Sequence, residues 1–564
     1  MKRIVLITLV VILSAFVITA DAYGAIDRKP GPGHNVAITN ISVPPSCIQG
    51  DAARVVVTIK NQGNYSEKLV VTLTDVTNGK EIEQKSVTLS EATEGEMDET
   101  VDLIFDSPVS GKQYFGYPVV CGDVNGDGYD DLLTTASQWN NAQGRAYLYY
   151  GGKSMDTTPD KTFTGETAGD LFGGGGAALG DVNGDNYDDV LVGAPGYRGG
   201  AEDGRVYIFY GGPDMDENAD LILEGESGKA GYYGVVIVTG DLNDDGYADV
   251  VVSANKCEDD RGRVYLYYAG NPMDTTCDLT LDGESSNDFF GRKAAIGGDV
   301  NGDGYPDLIL GARRYPGGKE KGRAYLFYGG NPMDNICDKT FTGASNKDRF
   351  GEAVHIFDVD NDGFGDVVIG AWGYSGGSNQ GRVYLYWGEA DIDVTVADKT
   401  FTGKPGNARA AFGSFIWAGY VNNDNYGDLL IVGFNYYKGD RRGQAYIYYG
   451  GTKENMNEAA DHTFTGVDQY SFWCRVTLGD VNNDGYDDAI IGGWEYNGNQ
   501  GRVWLYYGGS SKCSTDVTFN WDTTRASVGK HTLKAEIVPV SGEEDTADNT
   551  KAATVNVKSS VNKK

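Results

Sequence analysis

The sequence predicts an all-β protein that combines a seven-bladed β-propeller, with four strands per blade, and a smaller β-sandwich. Three observations support this prediction. An acidic phrase recurs at a fixed spacing, each repeat contains four strand-like segments, and further strand-like segments lie on both sides of the repeats. With 564 residues, the chain has room for more than one hydrophobic core.

The repeats are marked by the phrase Asp-x-Asn-x-Asp-Gly-Tyr-x-Asp, which we call the acidic loop. Seven copies lie about 60 residues apart, a period typical of propellers and solenoids. The copies start at Asp123, Asp181, Asp241, Asp299, Asp358, Tyr420 and Asp480.

Each repeat divides into four short segments with the alternation and the β-branched and aromatic content of strands. Examples are residues 177–179 before an acidic loop, 189–194 after it, 144–152 as the third strand and 160–165 as the fourth. Four strands per repeat is the composition of a propeller blade. The many third-strand tyrosines recur in every blade, so we expect them to be core residues.

Closure of the ring needs a seventh copy of the fourth strand, because only six copies lie between repeats. The two candidates are residues 102–105 and residues 516–519. The spacing from Phe105 to Phe115 nearly matches the spacing from Phe163 to Phe172, which favours the N-terminal candidate. A closed ring would remove the exposed edges of an open sheet.

The flanks of the repeats predict a second domain. Residues 36–100 and 513–564 both alternate like strands, but each holds too few strands to be stable alone. We therefore expect the two parts to form one sandwich, with the propeller at residues 101–512 inserted into it. Two independent domains are the alternative.

The acidic loops predict calcium sites. Positions 1, 3, 5 and 9 offer side-chain oxygens, position 7 offers a carbonyl, and the Gly at position 6 permits a sharp turn. A flexible, oxygen-rich set with about three carboxylates favours Ca²⁺ over Mg²⁺. The predicted ligands are Asp123, Asn125, Asp127, Tyr129 and Asp131; Asp181, Asn183, Asp185, Tyr187 and Asp189; Asp241, Asn243, Asp245, Tyr247 and Asp249; Asp299, Asn301, Asp303, Tyr305 and Asp307; Asp358, Asp360, Asp362, Phe364 and Asp366; and Asp480, Asn482, Asp484, Tyr486 and Asp488.

This arrangement predicts about six Ca²⁺ ions on the ligand count of each loop. The sixth loop begins with Tyr420 instead of Asp, so we expect its site to be weak or empty. Asn186 replaces Gly at position 6 of the second loop, which Asn tolerates. A simple polar hairpin turn is the alternative for one loop but not for six. We expect the metal to stabilise the hairpins, with direct bridging to a ligand as the alternative.

The repeats resemble FG-GAP repeats, the units of the integrin α-subunit propeller. A Phe-Gly pair stands before the loops at Phe115, Phe172, Phe290, Phe350 and Phe412, and Gly-Ala-Pro follows at residues 193–195. The resemblance implies calcium on one face and ligands or partner domains on the other. No Arg-Gly-Asp string is present, so integrin-like heterodimers are not implied. The flanks resemble an immunoglobulin-like adhesion module of the CARDB type, through residues 57–63 and 517–521.

The N-terminus predicts export. Lys2 and Arg3 precede an apolar run at residues 4–20, and residues 20–22 offer a cleavage site, so residues 1–22 are predicted to be a signal peptide. An uncleaved anchor is the alternative, because the run approaches the ~17 residues needed to span a bilayer. We expect a secreted or cell-surface protein without a membrane span in its mature form.

The composition narrows the partners. The formal net charge of −34 disfavours nucleic acid and anionic membranes. The seven cysteines show no zinc-binding spacing, and no nucleophile–His pattern recurs. We therefore expect a calcium-binding adhesion or binding platform and no enzyme. A structural surface or filament subunit, which would self-associate, and a propeller-based polysaccharide-acting enzyme are the alternatives.

The expected ligand, a protein or a glycan, would bind on the face opposite the acidic loops. Connections between second and third strands emerge there, and those of blades five to seven are rich in aromatic residues among small polar ones. The predicted ligand-binding residues are Trp372, Tyr374, Tyr436, Tyr437, Trp494 and Tyr496. The alternative is that some of these rings cover the blades and fill gaps between them.

Overall fold

The computed structural model describes residues 4–6, 36–42, 46–48, 52–61, 67–78, 80–89, 97, 99, 101–197, 203–227, 231–374, 380–403, 410–422, 424–433, 442–466, 475–509, 514–536 and 550–558. The chain divides into two compact units. The terminal unit comprises Met1–Asp98 and Ser510–Lys564, and the repeat unit comprises Glu99–Gly509. Most of the predicted signal peptide and the end of the C-terminal tail lie outside the described residues.

The repeat unit is all-β and propeller-like, with seven antiparallel four-stranded sheets among its described residues. We number the sheets in chain order by their acidic loops, and their strands first to fourth. The first strands are Phe115–Gly122, Ala177–Gly180, Val236–Gly240, Lys293–Gly297, Phe350–Phe357, Phe415–Gly419 and Val476–Gly479. The second strands are Asp131–Ala136, Asp189–Ala194, Asp249–Ala254, Asp307–Ala312, Asp366–Ala371, Asp428–Gly433 and Asp488–Gly493.

The third and fourth strands complete each sheet. The third strands are Arg145–Tyr149, Arg205–Phe209, Arg263–Tyr267, Arg323–Phe327, Arg382–Tyr386, Gln444–Tyr448 and Arg502–Tyr506. The fourth strands are Lys161–Thr164, Leu221–Glu224, Leu279–Asp282, Lys339–Thr342, Lys399–Thr402, His462–Thr465 and, for the seventh sheet, Leu103–Asp106.

The last of these assignments confirms the strand favoured by the sequence. Leu103–Asp106 pairs with Arg502–Tyr506, and Phe105 lies opposite Val503. The backbone N–H of Tyr507 donates to the Asp102 carboxylate at 2.9 Å. The N-terminal end of the repeat unit is thereby hydrogen-bonded to its C-terminal end.

Burial explains the strand patterns. Every second strand is buried along its whole length, which accounts for its continuous apolar sequence. Every fourth strand buries only its third residue, such as Phe105 or Phe163. That residue packs on the third strand of the next sheet: Phe105 lies 4.9 Å from Tyr149, and Phe163 lies 4.4 Å from Phe209, between ring centroids. Aromatic contacts of this kind join five of the seven sheets to the next one, and Leu223 and Leu281 take the same place in the second and third sheets. The expected core role of the third-strand tyrosines is confirmed.

The Phe-Gly pairs also join neighbouring sheets. The ring of Phe172 is buried and packs edge-to-face on Tyr207, with 5.4 Å between centroids. Its backbone approaches Gly144 of the preceding sheet so closely that a Cβ there would lie 2.1 Å from the Phe172 carbonyl oxygen. Gly144 also has a φ of +86°, so only glycine fits this position without strain.

The first strands of all seven sheets line one cavity of about 250 Å³. The acidic loop follows each first strand, so the seven loops lie at one end of this cavity. The connections between second and third strands lie at the other end. Among them are three single turns, Trp139–Ala142, Cys257–Asp260 and Tyr496–Asn499. None of the helices in the described part of the chain has the length and apolarity needed to cross a membrane.

The terminal unit contains two sheets, and each combines strands from both ends of the chain. In one sheet, Ala52–Asn61 lies between Val36–Ser42 and Ser514–Asp522. The order of the other sheet is Ile4–Leu6, Glu67–Asp75, Gly529–Glu536, Thr550–Lys558 and Ser46–Ile48, with Lys80–Leu89 pairing with Glu67–Asp75. A short 3₁₀ helix, Thr523–Arg525, follows Ser514–Asp522.

A buried polar contact joins the two ends of the chain in this unit. His531 is fully buried, and its Nδ1 lies 2.8 Å from Asp75 Oδ2. Its Nε2 lies 2.7 Å from the carbonyl oxygen of Ser527, so both ring nitrogens face acceptors. A buried pair of this kind is destabilising when one partner is lost.

Deletion of residues 513–564 is expected to unfold the rest of the terminal unit, because it removes the neighbours of Ala52–Asn61 and Glu67–Asp75 in their sheets. Limited proteolysis should then cleave residues 36–89 rapidly and leave the repeat unit intact. A protease-resistant N-terminal segment in the truncated protein would contradict the shared-sheet arrangement.

Candidate metal centres

Each of the six complete acidic loops is organised by its first carboxylate. In the first loop, Asp123 Oδ1 accepts hydrogen bonds from the backbone N–H groups of Gly126 (2.7 Å) and Asp127 (3.1 Å), and Oδ2 accepts one from Gly128 (2.9 Å). The same pattern recurs around Asp181 and Asp299. This carboxylate therefore folds the loop around itself.

The third and fifth positions hold each other. Asn125 Oδ1 accepts from the backbone N–H of Asp127 at 2.8 Å, and Asn125 Nδ2 donates to Asp127 Oδ2 at 3.1 Å. The backbone N–H of Tyr129 donates to Asp127 Oδ1 at 3.1 Å. Side-chain oxygens from positions 1, 3 and 5 thus lie together in one short loop.

The ninth carboxylate ties the loop to its sheet. Asp131 is fully buried; its Oδ2 accepts from the N–H of Val124 at 3.0 Å, and its Oδ1 accepts from Gly151 at 2.8 Å. Equivalent pairs of bonds hold Asp189 and Asp307. A metal ligand at this position would be fixed by the end of the third strand.

Burial strongly disfavours a negative charge on these ninth-position groups in the absence of a cation. It raises the pKa of Asp131, Asp189, Asp249 and Asp307 to about 7, and that of Asp366 to about 8. Neighbouring carboxylates of the same loop raise these pKa values further, whereas the backbone N–H donors lower them. A divalent cation would offset both the burial and the repulsion.

The acidic loops also form the seams between sheets. In every seam of the described repeat unit, at least one backbone N–H of a sheet donates to a carbonyl at position 1 or 2 of the preceding acidic loop. In five seams the donor is the backbone N–H of position 8 and the acceptor is the carbonyl of position 1. These pairs are Asp130 with Asp480 (3.1 Å), Asp188 with Asp123 (3.0 Å), Ala248 with Asp181 (2.8 Å), Gly365 with Asp299 (2.7 Å) and Asp487 with Tyr420 (2.9 Å). In six seams a glycine N–H after the third strand donates to the carbonyl of position 2. These pairs are Gly152 with Val481 (2.7 Å), Gly212 with Val124 (2.7 Å), Gly270 with Val182 (3.2 Å), Gly330 with Leu242 (2.9 Å), Gly451 with Val359 (3.3 Å) and Gly509 with Val421 (3.0 Å).

Position 8 holds a functional residue that the sequence reasoning passed over. Asp130 Oδ2 accepts from the backbone N–H of Asp480 at 3.0 Å, which makes the seam between the seventh and first sheets reciprocal. Asp487 does the same for Tyr420 at 2.6 Å. Burial raises the pKa of Asp130 to about 6. The phrase itself contained these residues, but their partners lie in the preceding repeat.

The sixth loop differs where its sequence differs. Asp428 keeps both of its bonds, to the N–H groups of Val421 and Gly450. Tyr420 supplies no carboxylate at position 1, and its exposed ring packs on Phe357 with 5.2 Å between centroids. This loop retains its connection to the sheet without the first-position carboxylate of the others.

The fifth loop has an additional carboxylate and a lysine from the next sheet. Oxygens of Asp358, Asp360 and Asp366 lie within 4.8 Å of one another, and Asp360 Oδ1 is buried without a hydrogen-bond partner. Lys453 Nζ lies 2.8 Å from Asp362 Oδ2 and 3.6 Å from Asp360 Oδ2. The lysine neutralises part of the charge that a metal would otherwise neutralise.

The aromatic residues of the opposite face have packing partners. Five connections place a ring on the arginine that begins the third strand: Trp139 on Arg145 (3.6 Å), Tyr197 on Arg205 (3.7 Å), Tyr315 on Arg323 (3.8 Å), Tyr374 on Arg382 (3.9 Å) and Tyr496 on Arg502 (4.3 Å). This repetition indicates that Tyr374 and Tyr496 cover the ends of their sheets.

The other predicted ligand-binding residues do not belong to that repeated stack. Trp372 is half-buried beside Arg349, at 4.0 Å. Trp494, also half-buried, packs edge-to-face on Tyr114 with 4.7 Å between centroids. Tyr436 and Tyr437 lie outside the described residues.

A Ser-His-Asp sequence of contacts in the terminal unit does not have the geometry of a nucleophilic triad. Ser527 Oγ lies 3.3 Å from His531 Nε2, but the carbonyl oxygen of Ser527 is closer to that nitrogen, at 2.7 Å. The nitrogen is therefore committed to a backbone acceptor instead of a hydroxyl. We assign this cluster to the structure of the terminal unit.

Comparison with known families identifies the repeats. The family described as "FG-GAP repeat" matches residues 115–149, 172–209, 233–267, 290–327, 350–386 and 472–506. The chain therefore contains six FG-GAP repeats, and they fall in every sheet except the sixth, in which Tyr420 begins the acidic loop.

Two groups of relatives match part of this sequence. The chain is 28% identical over 388 residues to human "Phosphatidylinositol-glycan-specific phospholipase D". This alignment covers 58% of this chain and 45% of that protein. It is 32% identical over 212 residues to "Integrin alpha-5" of Xenopus laevis, covering 35% of this chain and 20% of that protein. The chain is homologous to both, but it spans less than half the length of either relative.

Among solved structures, one titled "Structure of Dos1 propeller" aligns at 11% identity with a TM-score of 0.38, over 82% of this chain and 95% of that chain. A similarity this weak supports no argument about function.

Lowering the pH is expected to stabilise the metal-free protein. A carboxyl whose pKa is higher in the folded than in the unfolded chain takes up a proton on folding, so the free energy of unfolding rises as the pH falls from about 8 towards about 4. In chelator, the melting temperature should be higher at pH 5.5 than at pH 8. A metal-free protein that melts at a lower temperature at pH 5.5 would contradict these pKa shifts.

Lys453→Gln is expected to tighten calcium binding at the fifth loop by roughly two- to tenfold, because it removes a half-exposed competing cation. The measurement is a calcium titration against a competing chelator. Lys153→Gln is the control, since Lys153 also lies shortly after the third strand of its sheet, the first, and is exposed. If both variants bind calcium like the wild type, Lys453 has no influence on the site.

Proposed function

We propose that this chain is a calcium-stabilised, seven-bladed propeller that acts outside the cell as a binding or adhesion platform for a protein or glycan ligand. One observation gives the strongest support to the assignment of calcium. The six complete acidic loops carry three or four carboxylates each. They are also segments through which neighbouring sheets are hydrogen-bonded.

Calcium fits the donor set of these loops. The side chains at positions 1, 3, 5 and 9 offer hard oxygen donors, and the loop can adapt to a cation of this size. The proposed ligands are those of the six complete loops, with about six ions in total and a weak or empty site beside Tyr420. Strands flank these loops on both sides, which separates them from EF-hands, whose loops lie between helices.

The role of the metal would be structural. A cation that binds only the folded loop stabilises the folded state by linkage. Because the carbonyls at positions 1 and 2 accept the seam hydrogen bonds, a distorted loop would loosen two sheets at once. The opposite end of the propeller then remains available for ligands.

The terminal unit would be one immunoglobulin-like sandwich of the CARDB type, with the propeller inserted between its halves. Sheets that contain strands from both chain ends support this organisation. Export by residues 1–22 would place the protein at the cell surface or outside the cell. A structural surface or filament subunit remains the alternative, with this sandwich as the contact between copies.

The enzymatic activity of the phospholipase D relative is not extended to this chain, which spans 45% of that protein. We propose a binding function instead, because the carboxylates that dominate the repeat unit are used by the acidic loops and the seams.

Removing calcium is expected to lower the melting temperature, since the loops would lose their bound cations. Calorimetry and metal analysis of the folded protein should count about six ions, one for each loop with a complete set of oxygen ligands. Equal melting temperatures in calcium and in chelator would contradict the proposal. An additional ion beside Tyr420 would show that another ligand replaces the missing carboxylate.

Trp372→Ala combined with Trp494→Ala is expected to weaken ligand binding by roughly 2–4 kcal/mol if these rings form a hot spot. The fold should be unchanged, because neither ring is fully buried. A glycan and matrix-protein array supplies the ligand for this measurement. Asp480→Ala on the opposite face is the control and should lower calcium-dependent stability without affecting affinity at saturating calcium. The reverse result would place the ligand on the metal face.

A further inference from the structure

The central cavity contains positive charge in a strongly acidic protein. Two cationic residues, Lys293 and Arg475, line it, and no aspartate or glutamate is found among its described lining residues. The formal net charge of the whole chain is −34. Both residues stand at the beginning of first strands, so they lie at the end of the cavity away from the acidic loops.

Lys293 contacts no carboxylate directly, although Glu352 lies close enough to act on its charge. Its Nζ lies 3.9 Å from the centroid of the Phe415 ring, and no hydrogen bond or ion pair to it is found in the described part of the chain. Burial lowers the pKa of Lys293 well below its usual value, and the positive charge of Arg475 adds to this effect. The charged form of this amine is therefore poorly compensated by the protein, and a bound anion would stabilise it.

Arg475 is only partly satisfied. Its Nη2 donates to the carbonyl oxygen of Gly175 at 3.1 Å, whereas its buried Nε has no hydrogen-bond partner. Its guanidinium carbon lies 5.0 Å from the Tyr117 ring and 5.9 Å from the Phe415 ring. The side chains of Lys293 and Arg475 therefore both lie near the ring of Phe415, at the same end of the cavity.

The neighbouring charges do not neutralise this pair. Glu352 is bound to Arg313, with 2.7 Å between Oε2 and Nη1. Burial alone would raise the pKa of Glu352, but Arg313, Arg292 and Lys293 hold it below its usual value. Arg292 also has a buried Nε without a partner. One carboxylate, Glu352, therefore lies among four basic residues: Arg292, Lys293, Arg313 and Arg475.

Packing alone does not explain these cations. Lys293 and Arg475 occupy the fourth place counted from the aromatic residue of the Phe-Gly element, at Phe290 and Phe472. The equivalent residues of the other five repeats are all uncharged: Pro118, Gly175, Val236, Ala353 and Phe415. The repeating architecture accepts small or apolar residues here, so the cations belong to a local site.

We propose that this end of the cavity, which we call the basic mouth, binds a sugar acid. Its carboxylate would be held by Arg475 and Lys293, and its ring would lie against Phe415 and Tyr117. A guanidinium fork and an ammonium group bind carboxylates through charge-assisted hydrogen bonds. A cavity of about 250 Å³ admits a group of monosaccharide size. The inference rests on the proposed function, because it assigns a ligand class to the calcium-distal face.

The test is calorimetric titration of the full-length protein, in calcium, with sodium D-glucuronate, D-glucose and sodium sulfate. Glucuronate should bind, and both glucose and sulfate should bind at least tenfold more weakly. Arg475→Gln and Lys293→Met should each weaken glucuronate binding at least tenfold, whereas Lys293→Arg should retain most of it. Lys256→Met is the matched control, since Lys256 Nζ lies 4.0 Å from the Tyr232 ring but outside the cavity lining, and it should bind like the wild type.

Three results would overturn the inference: unchanged glucuronate affinity in both Arg475→Gln and Lys293→Met, glucose binding as tight as that of glucuronate, or sulfate binding as tight as that of glucuronate. Melting curves in calcium and chelator are recorded on the same samples. Calcium-dependent melting without glucuronate binding contradicts only the basic mouth, and melting that does not respond to calcium contradicts the calcium-stabilised platform.

Discussion

The repeat unit depends on the hydrogen bonds that each sheet donates to the acidic loop before it. These bonds end on the carbonyls of positions 1 and 2, so they form only while the loop keeps its shape. The loop is shaped by its own carboxylates: Asp123 gathers three backbone N–H groups, and Asp131 ties the loop to the third strand. The same carboxylates repel one another, which makes a cation the natural complement of the seams.

This constraint separates the two ends of the repeat unit. At the loop end, buried carboxylates and backbone bonds hold neighbouring sheets together. At the other end, rings such as Tyr374 and Tyr496 stack on arginines and cover the sheets. Trp372, Trp494 and the basic mouth stand apart from that repeated packing. Because these features differ from repeat to repeat, they are better candidates for specific recognition than the elements that recur.

The sequence predicted what the repeats have in common. The strands, the order within each sheet and the part played by Phe105 follow from patterns that recur along the chain. Asn186 adopts a φ of +68°, as its place in the loop required. The features that could not be predicted from the sequence are contacts between different repeats. Lys453 reaches the loop of the preceding sheet, and Lys293 and Arg475 of two different sheets lie near the ring of Phe415. Such neighbours cannot be identified from a single repeat.

The central claim is that metal-loaded acidic loops hold the sheets together. Hydrogen exchange at the seam amides of Gly152, Gly212 and Gly330 tests it most directly, with the third-strand amide of Leu148 as the internal reference. The account predicts that chelation of calcium accelerates exchange at the three seam amides much more than at Leu148. Equal protection of the seam amides with and without calcium would contradict it.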